Sequence, residues 1–231
     1  GVEMFVTDVR AALESAADVT KAPQMQAYMK SELPFFGIPS PVLKPLLREA
    51  LTTPVLDRTS WEQAVRILWD EATHREEWYA ALALAGHRHY RGFQTPDALE
   101  LYQHLIVTGA WWDVVDDVAS HKVGPIVLAF ADEVTPIVRV WATAEDVWLR
   151  RTAVICQLTA KHDTDLELFD HAMSHNLEGS AYGSVFWIRK AVGWALRQHA
   201  RTDPDWVRSY VAAHEAELSG LSKREALKHL R

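Results

Sequence analysis

The sequence predicts an all-α fold in which short helices stack in pairs to form a solenoid. Helical periodicity rich in Ala, Leu, Glu, Arg and Val dominates, alternating strand patterns are scarce, and helix start signals are frequent. Helices of roughly ten to sixteen residues joined by short turns are typical of stacked pairs, which leave a concave surface. Internal identity between pairs is poor, so the repeat prediction depends on helix length and spacing.

The apolar periodicity places the helices between turn-forming segments. In chain order, we predict helices near 3–15, 22–33, 41–52, 60–71, 75–89, 96–107, 111–121, 124–131, 133–143, 145–160, 165–175, 184–200, 205–214 and 223–230. The clearest loops are 34–41, which is rich in proline, and 176–184. Neither loop has the length or composition of a linker between domains.

Polar residues at several helix starts predict caps. Capping-box spacing occurs twice, in Thr59 with Glu62 and in Ser222 with Glu225. Two further pairs, Thr95–Pro96 and Asp203–Pro204, place a capping side chain before a proline at the first helical position. These signals favour helices that begin close to the positions given by the periodicity.

Composition sets the class of molecule. A chain of 231 residues with 48% apolar residues can bury a sizeable core, and we expect one domain over 1–231. The single cysteine, Cys156, permits neither an intramolecular disulfide nor a cysteine zinc site, and it is consistent with a reduced cytoplasm. No apolar run approaches the roughly 20 residues of a membrane span. The formal net charge of −7 argues against indiscriminate DNA binding, so a nucleic-acid surface would have to be a local basic patch.

Two spacings mark a candidate site. Trp112 and Asp116 are four residues apart, so a helix would project an aromatic ring and a carboxylate from one face. A second stripe alternates aromatic and basic side chains at steps of three and four: Trp187, Lys190, Trp194, Arg197 and Arg201. Cations beside aromatic rings suit a polyanion with sugar and base faces, and this pattern favours nucleic acid.

Each marked residue also has a plainer interpretation. Asp116 could be a solvated surface acid, a structural partner of an arginine, or a functional carboxylate; from spacing alone the surface role leads. Asp113 and Asp117 could share that role. Five of the ten tryptophans are expected to anchor helix packing: Trp61, Trp69, Trp78, Trp141 and Trp206.

Metal and cofactor sites are not expected. Among eleven histidines only His171 and His175 have a ligand-like spacing, and no third ligand is evident. No glycine-rich phosphate loop or Ser-His-Asp arrangement is apparent.

A single carboxylate can act in chemistry at a sugar, because breaking a bond at an anomeric carbon builds positive charge that a carboxylate stabilises. A cationic alkylated purine leaves without a general acid.

Several segments in order resemble one known family. They are 25–30 (MQAYMK), 105–108 leading into 111–116 (WWDVVD), 148–151 (WLRR), 190–197 (KAVGWALR) and 221–226 (LSKREA). Across nearly the whole chain the sequence resembles the HEAT-like-repeat alkylpurine DNA glycosylases, the AlkD-type DNA alkylation repair enzymes. The resemblance implies a C-shaped solenoid with a DNA-binding cleft, acting on cationic N3- and N7-alkylated purines in duplex DNA without base flipping.

The resemblance also implies roles for individual residues. Asp116 falls on the catalytic aspartate, and Trp112 and Trp194 on the two tryptophans that contact the sugar. DNA contacts are expected from Arg151, Tyr28, Lys190, Arg197, Trp187, Lys223 and Arg224. We expect a monofunctional glycosylase that uses no cofactor or metal, works as a monomer on double-stranded DNA, and resides in the bacterial cytoplasm or nucleoid. Bulky adducts are possible substrates beside methylated bases.

The residues leave two alternatives open. One is a non-catalytic HEAT-repeat protein that binds distorted or branched DNA. The other is a helical scaffold that grips a protein through its concave face, with tryptophans as hot spots. A protein-binding scaffold has no need of the basic stripe between Lys190 and Arg201.

Overall fold

A computed structural model describes residues 1–230, and within that range the chain is all-α with no β-strand. The helices are α1 (Val2–Ser15), α2 (Ala22–Met29), α3 (Ser40–Ala50), α4 (Arg58–Asp70), α5 (Arg75–Ala85), α6 (Leu99–Gly109), α7 (Trp112–Val118), α8 (Gly124–Ala129), α9 (Ala131–Trp141), α10 (Val147–Ile155), α11 (Leu166–Ser174), α12 (Phe186–Ala200), α13 (Pro204–Ala213) and α14 (Gly220–Leu227). Short 3₁₀ segments lie at Arg88–Phe93, Pro96–Ala98 and Lys161–Asp163, and a π-helical segment lies at Ala119–Val123. The predicted fold class is confirmed.

The chain divides into two compact units, Gly1–Phe93 and a second that begins at Gln94. In the first unit, α1 packs on α3, α4 and α5, and Trp61 is fully buried in the core. In the second unit neighbours in sequence pack on each other, as α6 does on α7, α8 on α9, and α13 on α14. Such contacts between consecutive helices are typical of stacked helical repeats. Whether 1–231 functions as one domain stays a prediction.

Every predicted helix has a counterpart, and the differences lie at the ends. The predicted helix 22–33 ends at Met29, because Lys30 adopts a left-handed conformation with φ of 53°. The helix predicted over 145–160 ends at Ile155. The prediction for 75–89 ends at Ala85 and is followed by the 3₁₀ segment. Periodicity locates helices well but does not report where side-chain packing stops supporting them.

Of the four predicted caps, one is confirmed, two lie at other residues, and the fourth residue makes no capping hydrogen bond. Asp57, not Thr59, accepts the Ser60 N–H at the start of α4. Ser219, not Ser222, caps α14 by accepting the N–H of Ser222. Asp203 caps α13 as expected, accepting from Trp206 N. Thr95 precedes its proline but makes no side-chain capping hydrogen bond.

The expected packing tryptophans do anchor helices. Trp61, Trp69 and Trp141 are buried. Trp78 stacks on Trp69 with ring centroids 4.2 Å apart. Trp206 stacks on Phe169 and Tyr210. Trp78 and Trp206 are half-buried and extend these cores toward the surface, whereas other tryptophans line a cavity in the second unit.

Two local features position the helices around that cavity. Helix α7 has only seven residues and runs directly into the π-helical segment, which is followed at once by α8. Helix α14 crosses α12 closely at Gly193, where an added Cβ would lie 2.9 Å from the Glu225 Cβ. Ser222 Oγ also donates to the Arg189 carbonyl oxygen at 2.9 Å, which ties α14 to α12.

Candidate active site

A cavity of about 280 Å³ lies in the second unit, between α7, α10, α12 and α14. Its lining consists of Trp112, Asp116, Arg151, Trp187, Lys190, Trp194, Arg197 and Glu225. Seven of these eight residues were singled out from the sequence. For Glu225 the sequence predicts no role in the site; it has capping-box spacing with Ser222 and lies in the segment 221–226.

Three predicted DNA contacts are absent from the lining. Tyr28 lies on α2 in the first unit, where it is 77% exposed. Lys223 and Arg224 lie on α14, and Lys223 donates to Glu215 at 2.8 Å. Their expected roles stay predictions.

The central contact of the cavity joins Asp116 to Arg151. Arg151 Nε donates to Asp116 Oδ1 at 2.8 Å and Nη2 donates to Oδ2 at 2.9 Å, which is a bidentate pair. Arg151 Nη1 donates to the Trp187 carbonyl oxygen at 2.7 Å. The Asp116 side chain is 17% exposed to solvent, and the Arg151 side chain is 5% exposed. The carboxylate is therefore fixed in direction while one side of it faces the cavity.

This geometry bears on the roles that the sequence predicts for Asp116 and Arg151. The surface interpretation of Asp116 does not describe a carboxylate that is mostly buried and held by two hydrogen bonds. The arginine-partner interpretation does, and it is compatible with a functional role. Arg151 was expected to hold a phosphate; its burial and three hydrogen bonds suit a group that positions Asp116 better.

Aromatic rings surround the ion pair. The Arg151 guanidinium carbon lies 5.7 Å from the Trp187 ring centroid and 5.8 Å from that of Trp194. Behind Trp187, the rings of Trp111 and Trp148 lie 5.3 Å and 5.6 Å away. In the sequence, Trp111 and Trp148 belong to the segments 111–116 and 148–151 that carry the family resemblance, but no role is predicted for either ring. The aromatic cluster excludes water from one side of the pair, which strengthens its electrostatic interaction.

The opposite side of the cavity carries a second, looser ion pair. Arg197 Nη1 donates to Glu225 Oε2 at 3.3 Å, with side-chain exposures of 31% and 25%. Arg197 Nη2 also lies 3.2 Å from His229 Nε2. Lys190 is exposed and has no ion-pair partner within residues 1–230. The cavity thus combines two carboxylates with three cations.

The acids beside Asp116 face other surroundings. Asp117 accepts from Lys122 Nζ at 2.6 Å, and the Lys122 side chain is 5% exposed. This contact gives Lys122 a role that the sequence did not reveal, since it bridges α7 and the π-helical segment. Asp113 accepts the N–H of Val114 in the first turn of α7. Of the three acids, Asp116 alone lines the cavity.

Other titratable groups lie outside the cavity. His171 and His175 face each other with ring centroids 4.3 Å apart, and residues 1–230 contain no group of three or more metal-ligating side chains. Cys156 is buried, and burial raises the pKa of its thiol to about 12. Across the part of the chain that the structure describes, no helix is both long and apolar enough to cross a membrane.

Comparisons with known proteins agree on one family. A family model described as DNA alkylation repair enzyme matches residues 9–230. A solved structure described as a predicted DNA alkylation repair enzyme from Enterococcus faecalis is 30% identical, with a TM-score of 0.78 over 93% of this chain and 96% of that one. No curated protein sequence matches the chain.

Proposed function

The chain belongs to the DNA alkylation repair enzyme family, and on that premise we propose that it is a monofunctional DNA glycosylase. Its substrates are N3- and N7-alkylated purines in duplex DNA, which carry positive charge. The observation that carries the proposal is the Asp116 carboxylate, held by Arg151 and facing a cavity that Trp112 and Trp194 also line.

The chemistry requires stabilisation of a cation at the sugar. As the bond between C1′ and the purine nitrogen breaks, its electron pair goes to the purine and neutralises it, while the sugar becomes an oxocarbenium ion. Asp116 stabilises that ion electrostatically and orients the water that attacks C1′. The attacking water then gives a proton to solvent, and the products are the free base and an abasic site. No general acid is needed because the leaving purine is already cationic.

The tryptophans and Arg151 support that carboxylate. The faces of Trp112 and Trp194 are electron-rich, so they favour a cationic sugar between them. Arg151 acts as a positioning residue, since its bidentate contact prevents the carboxylate from rotating away from the cavity. A carboxylate that is held in place by two hydrogen bonds needs less reorganisation to reach the transition state.

The lining also favours attack without base flipping. Enzymes that flip a base read its edge through hydrogen bonds in a closely fitting pocket. Here three of the eight lining residues are tryptophans, and all five polar ones carry charge. Such a surface recognises sugar, phosphate and charge. We propose that the lesion stays near the duplex stack, an arrangement that also tolerates bulky adducts.

DNA contacts are proposed for the basic residues around the cavity. Lys190 and Arg197 are exposed or half-buried cations at the cavity, and Lys223 and Arg224 follow on α14. Tyr28 and Trp187 complete the proposed contact set. A chain with a net charge of −7 needs such local clustering to approach phosphates. The partner is double-stranded DNA, bound by a monomer without a cofactor.

The test is release of 7-methylguanine from a duplex that contains it. Wild type should release the base, whereas Asp116→Asn should retain DNA binding and lose most of the release. Asp132→Asn, at an exposed position on α9, makes the same chemical change and should release the base normally. Equal, slow release by wild type and Asp116→Asn would refute the assignment and favour a protein that only binds distorted DNA.

A further inference from the structure

Glu225 is the one residue in the cavity lining to which the proposed function gives neither a part in the reaction nor a DNA contact. It lies on α14, yet its carboxylate lines the same 280 Å³ cavity as Asp116 on α7. The close crossing at Gly193 brings the Glu225 Cβ toward α12, and Ser222 ties the same turn of α14 to Arg189. Its position follows from the backbones of two packed helices rather than from a mobile side chain alone.

The two ion pairs of the cavity differ in strength. Asp116 and Arg151 share two short hydrogen bonds in buried surroundings, so a phosphate cannot readily take Arg151 away. Glu225 and Arg197 share one contact at 3.3 Å, with both side chains a quarter to a third exposed. Pairs of that kind contribute little and exchange with competing ions. A phosphate entering the cavity would therefore compete with Glu225 for Arg197.

We infer that Glu225 is a specificity residue that lowers the affinity of the protein for undamaged duplex DNA. A phosphate that binds Arg197 must displace the Glu225 carboxylate and then remain close to its negative charge. A cationic purine at the cavity compensates that repulsion through its attraction to the same carboxylate, whereas an ordinary neutral purine does not. Glu225 thus raises the preference for cationic lesions by penalising the competing ligand. The inference rests on the proposed function, because it takes a cationic base as the ligand.

The experiment compares affinities and needs no base release. Glu225→Gln removes the charge and keeps the side-chain size. Its matched control is Glu62→Gln, since Glu62 also pairs with an arginine, is 28% exposed, and lies on α4 outside the cavity lining. Both variants change the net charge equally. The ligands are one undamaged duplex and the same duplex with a 7-methylguanine whose 2′-fluorine slows cleavage of the glycosidic bond, each measured by fluorescence anisotropy.

Glu225→Gln should bind the undamaged duplex about 1.4-fold to fivefold more tightly, the range expected for releasing an arginine from a partly exposed pair. Its affinity for the methylated duplex should change less, so the ratio of the two dissociation constants falls. The salt dependence of log K should steepen by about 0.9 if Arg197 gains one phosphate. Glu62→Gln should show none of these changes.

A second variant tests whether the effect of Glu225 on DNA affinity depends on Arg197. In an Arg197→Gln background, Glu225→Gln should no longer tighten binding to undamaged DNA beyond the effect of the Glu62→Gln control. The inference is overturned if Glu225→Gln binds undamaged duplex no more tightly than wild type, or if Glu62→Gln tightens binding equally. Failure of the proposed function has a different signature, because wild type would then release no 7-methylguanine whatever Glu225→Gln does to affinity.

Discussion

Replacing Arg151 with methionine tests the central contact of the site. The substitution removes two hydrogen bonds to Asp116 and one to the Trp187 carbonyl oxygen, and it leaves the carboxylate without its cation. Loss of one partner from a buried ion pair costs about 3–5 kcal/mol. Because the Asp116 side chain keeps 17% exposure, water solvates it in part, and we expect a loss of about 3 kcal/mol, the lower end of that range.

That loss can be measured by thermal unfolding and by base release. For a chain of this size, about 3 kcal/mol lowers Tm by about 6–12 °C. At a temperature where the variant is still folded, the single-turnover rate of 7-methylguanine release should fall about 100-fold, since a carboxylate free to rotate is no longer aimed at the sugar. The release rate of Arg151→Lys should lie between those of wild type and Arg151→Met, because lysine offers a point charge without the two parallel hydrogen bonds.

The neighbouring residue provides a matched control. Arg150 is also buried on α10, but it donates to the carbonyl oxygens of Thr143 and Ala144 and to the side chain of Asn176. Arg150→Met should lower Tm comparably and leave base release within about twofold of wild type. The reasoning is refuted if Arg151→Met releases the base within about threefold of wild type, or if Arg150→Met loses release to the same extent.

Three further predictions concern packing and ionisation. Gly193→Ala should lower the free energy of unfolding by about 1–3 kcal/mol, because the new Cβ would lie 2.9 Å from a side-chain carbon of α14; denaturant unfolding that matches wild type would contradict the close crossing. Burial lowers the pKa of three histidines below the usual 6.5: His87, His171 and His199. The unfolded chain then takes up more protons, so the free energy of unfolding should be highest above about pH 6.5 and decline as pH falls below it; urea unfolding at about pH 7.5 and about pH 5.5 measures this, and His199→Gln should reduce the decline. Burial raises the pKa of Cys156 to about 12, so iodoacetamide should leave the native thiol intact at about pH 8 and modify it after denaturation; modification of the folded protein would show that the thiol is accessible.

Much of the fold followed from local patterns in the sequence. Each predicted helix was confirmed, because apolar periodicity reflects which face of a helix is buried. The caps were less predictable. Asp57 rather than Thr59 caps α4, since several polar residues near a helix start can accept the same N–H, and the choice depends on where the preceding chain leaves the core.

The candidate site, like the fold, was predicted from the sequence only in part. The spacings of Trp112 with Asp116, and of Trp187, Lys190 and Trp194, were sufficient to indicate shared helix faces, and those residues line one cavity. The roles assigned to them stay proposals. No pattern in the sequence identified a partner for Lys122, because its ion pair with Asp117 depends on the π-helical turn between them.

By itself, the sequence determined the helical class, the family and the faces on which aromatic and charged side chains are grouped, because residues three or four apart on a helix are neighbours whatever surrounds them. Only the tertiary structure decided which charges meet. Asp116 and Arg151 are 35 residues apart and Arg197 and Glu225 are 28 apart, so each pair depends on how two helices pack. That packing holds the Asp116 carboxylate in two short hydrogen bonds and the Glu225 carboxylate in one longer contact. No local spacing in the sequence encodes this difference.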